Sequence, residues 1–207
     1  MSNTLLVSFL APAALFLAAC GSTEPSAQEP SGEESSAEAS ETTDGDSAAP
    51  AADSVYALSS ETLAGDAVDL ERYQGKVTLF VNVASRCGYT PQYEGLQALH
   101  QAQGGDGFAV VGVPSNDFGG QEPGTADEIQ AFCRENYGVS FDMLAKQSTK
   151  EGASPLFDRL ADLTGERPSW NFCKYVVSAD GTKAQFFPSS TRPDSPELAA
   201  AIAELAH

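Results

Sequence analysis

Apolar and polar positions alternate regularly along the chain only beyond about residue 54. There, "VYAL" and "AVDL" flank a Gly65-Asp66 turn signal and predict an N-terminal hairpin. Residues 76–85, "KVTLFVNVAS", form a nearly continuous Val/Leu/Phe run, the pattern of a strand buried on both faces of a sheet. The segment 91–103 predicts a helix, with Pro91 in its first turn and Leu96 and Leu99 on one side. A second buried strand, "GFAVVGVPS", spans 107–115. It is followed by a helix over 125–138, with Thr125 as N-cap, Glu128 three residues later and Gly138 as its stop. Next come a short capped helix, "SPLFDRLADLTG", a hairpin across Asp180-Gly181, "NFCKYVVSADGTKAQFFP", and a closing helix, "SPELAAAIAELA".

Strand, helix, strand, helix, then hairpin and helix predicts an α/β fold with a central mixed sheet flanked by helices, preceded by the N-terminal hairpin. That order resembles the thioredoxin fold. No internal repeat interrupts it.

The first 53 residues follow a different logic. Residues 5–19, "LLVSFLAPAALFLAA", are apolar but too short and too rich in Pro and Ala for a good membrane span. They end in small residues before Cys20, and Leu17-Ala18-Ala19-Cys20 resembles the bacterial lipobox, although "MSNT" offers only its terminal amine as positive charge. The resemblance implies a leader over 1–19, a lipidated Cys20, and anchoring to a bacterial membrane, facing the periplasm or the cell surface. Residues 20–53 are dominated by Ser, Glu, Ala, Pro and Gly, cannot bury enough apolar area to offset their ordering entropy, and are expected to be an acidic disordered tether. The folded domain is expected over 54–207.

Charge narrows the function. The net charge is -18, and no Lys or Arg precedes Arg72. Nucleic-acid binding is excluded, since phosphate contacts need clustered cations. Of the four cysteines, Cys20 belongs to the lipobox, and Cys87, Cys133 and Cys173 form no C-x-x-C pair. His100 and His207 are isolated, so neither a metal site nor a cofactor is expected. Cys87 falls between a buried strand and a helix, where open α/β sheets place their active sites. Gly88 opens backbone access beside its sulfur, and the N–H groups of the helix start favour a thiolate. Cys173, inside an apolar strand, reads as structural.

Three segments carry a resemblance to the glutathione peroxidase family. "NVASRCGYTPQY" (82–93) is similar to the signature around the family's peroxidatic Cys or selenocysteine. "VPSNDFGGQEPGT" (113–125) resembles the motif that supplies a glutamine, and "WNFCKYVV" (170–177) the one that supplies Trp and Asn. The match implies a catalytic tetrad of Cys87, Gln121, Trp170 and Asn171. Carboxamide and indole N–H groups donate hydrogen bonds to thiolate and peroxide oxygen without taking up a proton. It implies a thiol peroxidase for hydrogen peroxide and organic or lipid hydroperoxides, in which Cys87 becomes a sulfenic acid. "FCRENYGVSF" resembles the segment that carries a resolving cysteine in thioredoxin-dependent members, here Cys133, although a buried apolar thiol is an equally ordinary use of cysteine.

A thioredoxin-like protein or glutathione is the implied reductant. The acidic domain favours the protein dithiol, because glutathione is an anion and only Arg86, Lys174, Lys183 and Arg192 stand near the site in sequence. The resemblance implies a monomer, since the region after Lys146 is short and lacks the extended insertions that the family's animal tetrameric members use for assembly. The alternatives are an exported thiol-disulfide exchange protein or a metallochaperone-like protein of the same fold. Thr90 occupies the position where the first would carry its second cysteine, and the histidines lack the spacing for the second.

Overall fold

The Gly65-Asp66 signal does mark a hairpin, but its first strand begins later than expected. In the computed structural model, β1 (Ser59–Glu61) pairs antiparallel with β2 (Ala67–Asp69), while Val55–Ala57 is a turn of 3₁₀ helix capped by the Ser54 hydroxyl. Val55 and Tyr56 are wholly buried, so their apolar character reflects burial against the sheet rather than strand pairing. The structure describes residues 49–105 and 107–206. The expected leader, Cys20 and the tether up to residue 48 lie outside the described residues.

A second 3₁₀ turn, Leu70–Tyr73, leads into β3 (Val77–Val83), the central strand, and all seven of its residues are buried. α1 (Gln92–Gln103), β4 (Phe108–Pro114) and α2 (Ala126–Tyr137) follow. Next come β5 (Asp142–Met143), α3 (Pro155–Thr164), β6 (Lys174–Val177), β7 (Ala184–Phe187) and α4 (Pro196–Glu204). The five-stranded sheet has the order β5-β4-β3-β6-β7. β3, β4 and β5 run parallel, and β6 and β7 run antiparallel to their neighbours, giving the mixed sheet of the thioredoxin fold.

Alternation along β3 divides the core in two. Val77, Leu79, Val81 and Val83 face a cluster with Tyr93 and Leu96 of α1, Ile129 and Cys133 of α2, and Leu198 and Ile202 of α4. Phe80 faces the other way, with Leu156, Phe157 and Leu160 of α3. Each such side chain contributes roughly 1.5–3 kcal/mol when buried, so the sheet is clamped from both faces. The helix boundaries follow their caps. Thr125 and Glu128 form a reciprocal capping box at the start of α2, and Gly138 closes it in the left-handed conformation.

Candidate active site

Cys87 sits in the loop that joins β3 to α1, and only 7% of its surface is exposed. The loop is tightened by its own polar groups. The Cys87 N–H donates to the Thr90 hydroxyl (3.0 Å), which donates to the Ala84 carbonyl (2.9 Å). The Thr90 N–H returns to the Cys87 carbonyl (3.0 Å). These bonds fix the loop backbone ahead of α1, and the Tyr89 N–H points at Sγ from 3.4 Å. Thr90 thus stands as a backbone clamp at the position where a C-x-x-C protein has its second thiol.

Gln121 comes from the loop after β4. Gly119 and Gly120 have φ of 65° and 61°, two successive left-handed residues that fold the chain back sharply, which glycine adopts without steric cost. The turn returns Gln121 to the cysteine loop, where its carbonyl accepts the Arg86 N–H at 3.0 Å. Its side-chain oxygen accepts from the Asn171 amide, also at 3.0 Å. With that oxygen engaged, the Gln121 amide group remains a donor.

Asn171 and Trp170 approach from the segment that enters β6. Asn82, buried within β3, anchors this segment by donating from Nδ2 to the Trp170 carbonyl at 2.9 Å and by accepting the Phe172 N–H at its own carbonyl, at 2.6 Å. Phe172 has φ of 65°, the one described non-glycine residue in the left-handed region. That conformation costs roughly 1–2 kcal/mol for a residue with a Cβ. It is held by burial of the ring edge-on to Tyr93, with centroids 5.4 Å apart, and by the Lys174 ammonium, which donates to the Phe172 carbonyl at 2.7 Å. The kink separates the wholly buried Asn171 from Trp170, which is 40% exposed with its indole 5.9 Å from the Phe118 ring.

Lys174 departs from expectation. In sequence it reads as a cation near the site, able to meet an anionic reductant. In the structure it is wholly buried, and burial pushes its ammonium down to about 8. Alternation along β6 places it on the core side opposite Val81. It cannot meet a ligand on the surface. Arg192 is held in a two-pronged pair with Asp194, at 2.8 and 2.9 Å.

Cys133 shares the core cluster of Cys87, with 2% of its surface exposed. Burial pushes its thiol up to about 11, and the nearby Glu122 carboxylate adds to the rise. The Tyr93 hydroxyl lies beside it, with no well-formed hydrogen bond of its own. Cys173 is wholly buried against the Ser189 hydroxyl at 3.5 Å. All three thiols are free.

The structure thus ties Gln121 to Asn171 directly and Gln121 to the Cys87 loop through the backbone, with Trp170 on the adjoining segment. Residues 82–93, 113–125 and 170–177 are brought together by three strand ends of one sheet. Sequence reasoning missed the buried Glu122 and the left-handed Phe172. Glu122 gave a faint signal, an acidic residue inside a Gly/Pro turn, whereas a positive φ at phenylalanine leaves none.

The sheet is that of the thioredoxin fold, and the loop after its central strand carries a thiol with threonine, not a second cysteine, three residues on. The family model described as glutathione peroxidase matches residues 55–161. Hydroperoxy fatty acid reductase Gpx2 of Synechocystis sp. is 46% identical over 142 residues, covering 68% of this chain and 92% of that protein. The glutathione peroxidase-like peroxiredoxin gpx1 of Schizosaccharomyces pombe is 40% identical over 144 residues, covering 67% and 91%. Among solved structures, Trgpx in apo form superimposes with a TM-score of 0.59 at 31% identity, covering 74% of this chain and 95% of that one. The chain belongs to the glutathione peroxidase family and is a peroxidase.

Proposed function

We propose that this protein is a thiol peroxidase that reduces hydrogen peroxide and organic hydroperoxides, fatty-acyl hydroperoxides included, with Cys87 as the attacking thiol. The observation that supports the reading is the joining of the Cys87 loop to Gln121 and of Gln121 to Asn171, which links three separate segments of the chain next to the loop that carries Cys87. The Cys87 thiolate attacks the distal peroxide oxygen, the O–O bond breaks, and a sulfenic acid forms while the other oxygen leaves as water or alcohol. The Gln121 amide and the Trp170 indole N–H stabilise the departing oxyanion, and Asn171 fixes the orientation of Gln121. The fatty-acyl substrate is suggested by the Synechocystis relative.

Cys133 then resolves the sulfenic acid as a disulfide, and a thioredoxin-like protein reduces that disulfide. In the folded state Cys133 is buried with its thiol held protonated, so resolution requires α2 to open. Glutathione is the less favoured donor, since Lys174 is buried and Arg192 already paired. We also infer that residues 1–19 are a lipoprotein leader and that Cys20 anchors the protein, as a monomer, to a bacterial membrane through the acidic tether.

The test is peroxide consumption with thioredoxin or glutathione as sole reductant, for wild type, Cys87→Ser and Cys133→Ser. Loss of all turnover in Cys87→Ser, with loss of only the thioredoxin-driven reaction in Cys133→Ser, supports the two-cysteine cycle. Unchanged turnover in Cys133→Ser rejects it. Fractionation with and without globomycin tests the anchor, and a soluble, unlipidated mature chain overturns it.

A further inference from the structure

Glu122, the residue after Gln121, is a carboxylate with 1% of its surface exposed. Its place is fixed by the loop rather than by an ion pair. Its backbone N–H donates to the Asn116 side chain at 2.8 Å, and Oε2 accepts the Ser85 hydroxyl at 3.1 Å. The other oxygen, Oε1, is buried without a hydrogen-bond partner among the described residues. An acceptor of this strength is costly to leave unpaired, and such groups persist where chemistry uses them.

The surroundings of Glu122 indicate what that chemistry is. With Ser85 and Arg86 on one side and Ile129 and Phe132 of α2 on the other, it lines a cavity of about 220 Å³. Ile129 is one helical turn before Cys133, so the cavity lies between the Cys87 loop and the helix that carries the second thiol. The charged and titratable groups facing Glu122 come from every neighbouring element. They are Arg86 beside Cys87, Lys146 beyond β5, Glu128 in the first turn of α2, Tyr93 of α1, and Cys133 itself. Glu128 is committed to the capping box through the Thr125 N–H at 2.8 Å. Glu122 therefore sets a buried carboxylate between the Cys87 loop and α2, near enough to Cys133 to act on its thiol.

We propose that Glu122 is the proton relay of disulfide formation, passing the Cys133 thiol proton to the hydroxide that leaves oxidised Cys87. The inference rests on Cys133 being the resolving thiol. In the balanced step, the Cys133 sulfur attacks the Cys87 sulfenic sulfur, an S–S bond forms and the S–O bond breaks. The Cys87 sulfur is reduced, the Cys133 sulfur is oxidised, and hydroxide departs as water with the proton carried by Glu122. Burial holds the Glu122 carboxyl above the usual carboxylate range, which brings its affinity for a proton closer to the working pH. The cavity lined by Glu122 also borders Ile129 and Phe132 of α2, so unwinding of that helix releases Cys133 beside Glu122.

The experiment follows single turnover of the full chain. Wild type, Glu122→Gln, Glu122→Asp and Cys133→Ser are mixed with one equivalent of hydrogen peroxide, quenched with acid and alkylator, and resolved by mass spectrometry into thiol, sulfenic acid and disulfide. In Glu122→Gln, disulfide formation is expected to slow roughly a hundredfold more than the peroxide step, the lower end of the range of general acid-base catalysis. Its rate should also lose the acid limb of its pH profile, and Glu122→Asp should recover part of both. Equal slowing of the two steps, or a Glu122→Gln disulfide rate with the wild-type pH profile, overturns the relay and leaves Cys133 as the resolving thiol. Absence of a Cys87–Cys133 disulfide in wild type overturns the two-cysteine reading, and the relay with it.

Discussion

Asn171 donates its side-chain amide to the Gln121 side-chain oxygen at 3.0 Å, fixing which end of Gln121 faces outward. Asn171 is wholly buried, so removing its partner strands a donor. Gln121→Ala should lower stability by about 1–3 kcal/mol and slow the reaction of Cys87 with peroxide by roughly a hundredfold. In a double-mutant cycle with Asn171→Ala, the two losses should be far from additive. Stopped-flow peroxide kinetics and urea unfolding read both quantities.

The left-handed Phe172 inverts an ordinary ranking. Alanine normally outlasts glycine in regular structure, but at φ of 65° glycine is relieved of a strain that alanine keeps. Both truncations lose the buried ring, at about 3–5 kcal/mol. Phe172→Gly should nevertheless be more stable than Phe172→Ala by about 1 kcal/mol in urea unfolding.

Lys174 predicts a pH dependence. Its proton leaves the folded protein at about 8, whereas an unfolded lysine keeps it to 10.5. Between those values the unfolded chain binds more protons, so stability should rise with pH from about 8. From about pH 9 the raised Cys133 thiol opposes this, since the folded state retains a proton that the unfolded thiol loses. The rise should amount to roughly 1 kcal/mol per pH unit over 8 to 9 and should vanish in Lys174→Met.

Cys133 should resist alkylation in the folded enzyme, because a protonated, 2% exposed thiol reacts only when α2 opens. Ile129→Ala removes a buried anchor of that helix at about 2–5 kcal/mol. Labelling of Cys133 by iodoacetamide at neutral pH should then accelerate at least about tenfold, as read by peptide mass spectrometry.

The legibility of the fold follows from how each element is stabilised. β3 and β4 declare themselves because burial on both faces demands uninterrupted apolar residues. α2 does so because its capping box is a short-range code. β5 is two residues long and exists only through its pairing with Val111 and Gly112, so no local pattern marks it. Val55 to Ala57 resembles a strand because a buried 3₁₀ turn needs the same apolar side chains. The motifs that carry Cys87, Gln121, Trp170 and Asn171 are spread along the chain, and the sheet explains how their segments come to lie side by side. The buried state of Lys174 was not legible, because strand alternation assigns a face without saying whether that face is covered.

Trp170, half out of the surface beside Phe118, is the chain's single tryptophan. The enzyme therefore carries a native optical probe on the same segment as Asn171. Excited at wavelengths that tyrosine does not absorb, the chain emits from this one indole. A response of this segment to peroxide can be followed in real time without attaching a dye to any cysteine.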